Sequence, residues 1–296
     1  MTYYKRVSQM QGEKCLCEYG NLFLRYKKNG VNIYECNCCG LMTVRPLADR
    51  DSLKKYYDDG YTSGRYLNRT KEYAVQLRRS TFKYWFNSIR HYIGEGGRFL
   101  DIGCGDGTAM MVAEELGFEV YGNDISEVAS QNALQRWQNR VFSGLTVMDC
   151  NFAEGYFDCI SMFDFLEHTV NPLDYLSYSN RLLKRGGHLI ISTHDAGSFH
   201  RRIMGRWWSY LNPDEHMHYF NQKALTMFLK KTNFEPLHIR NVFKITNLEF
   251  LLNEFQFTNR FFYNILRGMK MIMPAILWNL KFSFNPGEIL CVARKS

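Results

Sequence analysis

The stretch Phe99-Leu100-Asp101-Ile102-Gly103-Cys104-Gly105-Asp106-Gly107 constrains this chain more than any other. An apolar run closes on a carboxylate, glycine recurs at alternate positions, and helix-favouring residues 108–116 follow. That is the pattern of a strand, a tight turn and a helix, which lets a nucleoside approach backbone N–H groups closely. Thr108 stands where a dinucleotide fingerprint needs its third glycine, and Asp101 would repel a pyrophosphate. The turn suits a cationic, phosphate-free ligand instead. S-adenosylmethionine (SAM), with its ammonium and sulfonium, is such a ligand.

From residue 98 strand-like and helix-like segments alternate, which predicts an α/β sheet. Strands are expected at 98–102, 118–122, 145–148, 157–163, 188–193, 234–241 and 288–293. Ser126 caps a helix reaching 138, Pro172 precedes one over 173–183, and Asn221 caps 222–231. Asp124 closes the second strand, near the distance at which α/β nucleotide folds place a carboxylate on ribose hydroxyls. Asp149 closes the expected third strand, where it could accept from an adenine amino group. Residues 242–285 are too long for an ordinary connection. Their large apolar side chains predict a cap over the site or a homodimer surface. The part over 261–282 sets Arg267, Lys270 and Lys281 among apolar residues, which also permits peripheral membrane contact.

Residues 1–46 carry five of the nine cysteines. Cys15 and Cys17 precede, and Cys36 and Cys39 follow, two strand-like segments joined at Asn29-Gly30. Paired cysteines at the base of a hairpin are the layout of a zinc ribbon, whose metal stabilises a piece too small to own a core. The C-x-C of the first pair is one residue short of a regular knuckle, so structural zinc, a metal-free remnant and redox thiols all stay open. Residues 47–95 read as a helical linker or lid, with a short helix over 51–57 and a longer one over 69–92. The longer helix would gather Tyr73, Leu77, Phe82, Trp85, Phe86 and Ile89 on one face. Tyr56, Tyr57, Tyr61 and Tyr66 are core residues or line a cofactor or substrate mouth.

The formal net charge of +8 is placed asymmetrically. Residues 1–95 hold 17 Lys+Arg against 9 Asp+Glu, whereas the rest of the chain is balanced. Such a surface attracts an anionic or carrier-linked small molecule, nucleic acid or an acidic membrane face, or is simply solvated. Unpaired cysteines and the absence of a leader-like or membrane-spanning apolar run predict a cytoplasmic protein.

Together, "FLDIGCGDG", "VYGNDIS", "FDCISMFDFLEHTVNPLDYL" and "LLKRGGHLIISTHD" resemble the class I SAM-dependent methyltransferases. The likeness extends to a small-molecule branch in which a cysteine-paired module precedes the catalytic domain. It rests there on Cys36–Leu41, Arg45-Pro46, Tyr56-Tyr57 and "GRWWSYLNPDEHMHYF". The resemblance implies a Rossmann-like seven-stranded α/β sheet of order 3-2-1-4-5-7-6 over residues 96–296, with the insert at 242–285 and a zinc-ribbon-like module over 1–46. It further implies that Asp101, Gly103, Gly105 and Gly107 hold the methionine part of SAM. Asp124 and Ile125 would hold the ribose, Asp149 the adenine, and Phe163 the wall beside the sulfonium.

Methyl transfer to a hydroxyl needs alignment and a base. His168 follows the fourth expected strand, His194 the fifth, and His216 and His218 lie in a later loop beside Trp207, Trp208 and Tyr210, which could stack on a substrate ring. The acceptor expected is a hydroxyl of a small molecule or saccharide, nucleotide- or lipid-linked acceptors included. Two other readings stand: a nucleic-acid methyltransferase using the basic N-terminal region, and a non-catalytic SAM-fold scaffold. The first is disfavoured because no Asn/Asp-Pro-Pro-aromatic stretch, which holds a flipped amino base, follows the fourth strand.

Overall fold

The computed structural model describes residues 13–47, 52, 55–56, 58–60 and 71–296 except Ser209. Tyr57, Tyr61, Tyr66 and most of the expected short helix and turn lie outside the described residues. Strands β1 (Leu22–Lys28) and β2 (Val31–Cys36) form the expected hairpin, with Asn29 and Gly30 at φ 51° and 78°. Two left-handed residues give the turn twist that right-twisted strands accept. β3 (Met42–Arg45) adds to β2.

Helix α1 (Glu72–Ile93) buries Ala74, Leu77, Thr81, Trp85, Phe86, Ile89 and Ile93, a stripe at helical spacing. Beyond it the alternation begins with β4 (Arg98–Ile102), α2 (Thr108–Glu115), β5 (Glu119–Asp124), α3 (Glu127–Arg136) and β6 (Val141–Ser143). It continues with β7 (Phe157–Phe163), α4 (Pro172–Leu182), β8 (Leu183–His194), α5 (Phe199–Met204), β9 (His218–Tyr219) and α6 (Gln222–Lys231). β10 (Phe234–Thr246), α7 (Leu248–Thr258), α8 (Arg260–Lys270), α9 (Ala275–Trp278) and β11 (Phe282–Lys295) complete the chain.

Seven strands form one sheet, β10-β11-β8-β7-β4-β5-β6, the expected order read from the opposite edge. β11 runs antiparallel to both its neighbours, and the pairs among β4 to β8 are parallel. The ends of the parallel strands therefore open on one edge, where α/β folds bind ligands. α1 closes over the sheet. Phe86 meets Phe99 with ring centroids 5.8 Å apart, and Trp85 Nε1 donates to the Phe243 carbonyl at 2.8 Å.

Two expectations are corrected. The third strand is Val141–Ser143, not 145–148: Gly144 turns the chain at φ 76°, and Val147–Cys150 forms a 3₁₀ turn. Thr146 starts that turn, its N and Oγ1 donating to Asp149 Oδ2 at 3.2 and 2.6 Å. The reciprocal cap outcompetes a strand. The insert is also shorter than 242–285, because the last two strands run on. Lys244 pairs with Phe284 and Thr246 with Phe282, leaving 247–281 as the inserted helices.

The cysteine module is welded to the rest. β9 pairs with β3 (Met42 opposite Tyr219, Thr43 opposite His218), giving a four-stranded sheet β1-β2-β3-β9. Val31, Ile33, Met42 and Val44 share a core with Ala196, Trp208, Leu211 and Tyr219. The weight of α1 in the larger core is directly measurable: Phe86→Ala is expected to lower the unfolding free energy by about 3–5 kcal/mol in chemical denaturation. A change below about 1 kcal/mol would mean that α1 does not close the sheet.

Candidate active site

Asp101 lies at the buried end of β4, where Ser161 Oγ of β7 donates to its Oδ1 at 2.6 Å. Burial, aided by Asp124 and Asp106 and opposed by the Ser161 bond, raises its carboxyl to about 7. An arriving cation would favour its ionised form. Gly103 and Gly107 are required as glycine: φ is +77° and +80°, and a Cβ would lie 2.4 Å from Phe165 and 2.5 Å from Trp137. At Gly105 a Cβ would meet nothing within 4 Å, so the middle of the turn borders open space.

Asp124 ties this turn to β5. Gly105 N donates to Oδ2 at 2.9 Å and Ser126 N to Oδ1 at 2.8 Å, while burial lifts the carboxyl to about 6. Ser126 also caps α3, and its Oγ donates to Asp58 at 2.7 Å; Ile125 is half-buried beside it. Asp106 accepts from Thr108 N and Oγ1 and pairs with Arg78 of α1. Three carboxylates thus surround an open glycine turn, a setting that fits the cationic SAM. Asp149 lies within the 3₁₀ turn, and Phe163 packs into the aromatic face of α1, 4.9 Å from Phe82 and 5.8 Å from Phe86.

A second cluster lies at the ends of β7 and β8. Asp164 adopts φ 48°, rare for a non-glycine residue, and is held by Ser192, whose Oγ donates to Oδ1 at 2.9 Å. Lys244 Nζ lies 2.8 Å from Asp164 Oδ2 and 3.0 Å from Glu288 Oε2. The Asp164 and Lys244 side chains keep 41 % and 28 % of their area open, so the pair is reachable from solvent. Burial pushes Asp164 up, but Lys244 outweighs it and holds the carboxyl well below its usual range. Burial, reinforced by Asp164, pushes Glu288 well up and Glu167 to about 8.

His194 stands between these acids, its Nδ1 3.6 Å from both Glu167 Oε1 and Glu288 Oε2. Its ring lies 3.7 Å from that of Tyr210 and 4.7 Å from His216, which is 4.8 Å from His168. Burial lowers His194 well below the usual range and His216 to about 4, so both rings are neutral at pH 7. His168 Nδ1 meets the Glu215 carbonyl at 2.9 Å. A carbonyl only accepts, so Nδ1 carries a hydrogen, and in the neutral ring the lone pair belongs to Nε2.

Three of the four predicted histidines therefore come together. His218 does not: it is buried in β9, and its Nε2 donates to the Val170 carbonyl at 3.3 Å. Of the predicted stacking aromatics, Tyr210 lies on His194, Trp208 is buried near Tyr219 and Trp207 is exposed. Glu167, Lys244 and Glu288 went unread in the sequence. Glu288 faces His194 only through β11–β8 pairing, which no local spacing signals. Asp164, Glu167 and His194 also bring donor atoms within 4.8 Å of one another, with Lys244 already supplying a cation there.

The four expected cysteines converge, with all four sulfurs within 4.8 Å. Cys15 Sγ lies 3.6 Å from Cys39 Sγ, and Cys17 Sγ 3.7 Å from Cys36 Sγ. A tetrahedral metal with bonds of about 2.3 Å sets its sulfurs about 3.8 Å apart. Backbone N–H groups of Cys38 and Cys39 approach Cys36 Sγ at 3.4 and 3.5 Å, and that of Leu41 approaches Cys39 Sγ at 3.5 Å. A turn closed by Cys15 N donating to the Gly20 carbonyl at 2.9 Å accommodates the short C-x-C. A Cβ on Gly20 would sit 2.6 Å from Cys36 Sγ. Elsewhere, a groove of about 720 Å³ runs between module and catalytic domain, lined by Arg25, Arg202 and Lys223 among others.

Residues 75–239, more than half the chain, match the methyltransferase domain family. A ubiquinone biosynthesis O-methyltransferase of Alkalilimnicola ehrlichii is 29% identical over 174 residues, covering 52% of this chain and 70% of that protein. One of Cereibacter sphaeroides is 36% identical over 120 residues, 38% of this chain and only about half (49%) of that protein. Among solved structures, Burkholderia thailandensis 1,6-didemethyltoxoflavin-N1-methyltransferase, with bound S-adenosylhomocysteine, aligns with a TM-score of 0.53 at 18% identity, covering 92% of this chain and 99% of that one. A SAM-dependent methyltransferase from Archaeoglobus fulgidus gives 0.53 at 20% identity, covering 79% and 99%. The structural likenesses speak for the fold and the family match for the lineage: the chain belongs to the methyltransferase domain family and is a class I SAM-dependent methyltransferase.

Proposed function

We propose that the protein methylates a hydroxyl of a small molecule, with His168 as the base. The observation that carries this reading is the contact of three imidazoles beside the Asp164–Lys244 pair, of which only His168 is not buried. SAM, when bound, supplies an electrophilic methyl group. Asp101 and the glycine turn hold its amino end, Asp124 and Ile125 flank the ribose, and Asp149 and Phe163 line the adenine and sulfonium sides. His168 takes the acceptor proton on Nε2 while the Glu215 carbonyl fixes its ring. His194 and His216, kept neutral by burial, do not compete for that proton. Lys244 steadies the negative charge developing on the acceptor oxygen.

Saccharide, nucleotide-linked and lipid-linked hydroxyls all fit this chemistry. The four-sulfur cluster supports one structural zinc, whose closed thiolate shell leaves no position for substrate.

His168→Ala should lower kcat roughly 10²- to 10⁴-fold with SAM affinity unchanged. Turnover is read as S-adenosylhomocysteine formed with a panel of hydroxyl acceptors, and an unaltered rate would remove His168 as the base.

Asp101 and Asp124 are both raised by folding from 3.8, so their contribution to the ligand-free fold is full below about pH 4 and is lost as pH rises through about 6 to 7. A cation reverses that preference. SAM affinity measured by calorimetry is therefore expected to fall tenfold or more from about pH 7.5 to about 5.5, and Asp101→Asn to flatten the profile.

Elemental analysis should find about one zinc per chain, displaced in Cys36→Ser. Folded protein without metal would leave the cysteines as a bare sulfur cluster.

A further inference from the structure

We propose that the outer face of the insert, α8 and the segment through α9, docks on an anionic lipid bilayer. No residue from 259 to 277 is buried. Phe261 and Ile265 lie one helical turn apart on the outer side of α8, and Met271, Ile272 and Ile276 follow with 84, 82 and 81 % of their surface open. Leu277 and Leu280 extend the apolar run. Scattered exposed apolar residues are ordinary, but a continuous run of this size marks a contact surface.

The inner side is already satisfied. Glu249 of α7 accepts from Lys270 Nζ at 2.7 Å and Trp278 Nε1 at 2.5 Å, and Phe262 stacks near Phe255 at 5.4 Å. The open face is therefore not waiting for the protein's own core.

Charge selects the occupant. Residues 259–284 hold Arg260, Arg267, Lys270 and Lys281 and no Asp or Glu. Lys270 is taken up by Glu249, which leaves Arg260, Arg267 and Lys281 to meet a partner. Across a two-fold axis a second copy would bring these three cations toward one another with no acid of the segment to pair them. An anionic headgroup layer attracts all three, while the aromatic and aliphatic side chains enter the acyl boundary. The insert does not cross the bilayer, since no helix among the described residues is long and apolar enough.

The docking face is tied through the chain to the Asp164–Lys244 pair. Lys244 lies four residues before α7 on the strand that carries the insert. An amphiphilic acceptor held in the membrane would thus present its head to that pair. This last step rests on the acceptor-site reading above; vesicle binding is measured without turnover, so the two fail separately.

The test is flotation of the full-length protein with phosphatidylcholine vesicles containing or lacking about one third phosphatidylglycerol. The expected result is binding to the anionic vesicles at least tenfold above neutral ones, released by salt. Arg267→Glu should cut the partition about fivefold or more, and Ile272→Glu with Ile276→Glu should abolish it. Wild-type SAM affinity in these variants, which touch neither the glycine turn nor the Asp164–Lys244 pair, certifies their fold. Equal binding to both vesicles, or correctly folded variants that float like the wild type, would overturn the proposal. So would a dimer in sedimentation that the same substitutions dissociate while no vesicle binding is seen.

Discussion

Three carboxylates at the ends of three parallel strands set the terms for everything around them. Asp101, Asp124 and Asp164 terminate or follow β4, β5 and β7, on the edge where the sheet opens. Burying like charges together is costly, and each is managed differently. Burial outweighs the Ser161 bond and lifts Asp101 to about 7, two backbone N–H groups clasp Asp124, and Lys244 neutralises Asp164. Among the described residues no cation pairs with the first two, which suits a cationic cofactor. The third owns one, so the sheet edge carries two electrostatically different places.

The histidine cluster depends on long-range ties. β9 is only two residues long, yet its pairing with β3 pins the chain just after His216 to the cysteine module. From the other end, Tyr210 holds His216 through its carbonyl and lies on His194 with its ring. Loops are ordinarily the mobile part of an α/β site. Here the module's sheet draws Trp208, Leu211 and Tyr219 into a small core of their own, so the loop that carries Tyr210 and His216 is tied to the cysteine module.

What was legible in the sequence follows from physics. β4 and β7 are buried on both faces, so near-continuous apolar runs betray them, and glycine at positive φ marks the turn between β4 and α2. The caps Ser126 and Asn221 are local contacts and were readable as such. β6 was misplaced because three residues carry little period, whereas the capping box of Thr146 and Asp149 imitates a strand end. Lys244 and Glu288 could not be read at all. Their roles arise from the register of β10, β11 and β8, and register is a property of the folded sheet.

That register also explains why an insertion at this place bears on chemistry. Lengthening a loop usually changes a surface and little else. Here β10 and β11 extend before the inserted helices begin, and the extension carries Lys244 over the end of β8 to Asp164 and Glu288. The same extended strand anchors α1, since Ile245 N donates to Thr81 Oγ1 at 2.9 Å and the Phe243 carbonyl accepts from Trp85. The insert therefore has a short covalent and hydrogen-bonded route to Lys244 and to the helix covering the sheet. Because α1 also reaches the glycine turn through Arg78 and Asp106, one helix touches both the turn and the strand that carries Lys244.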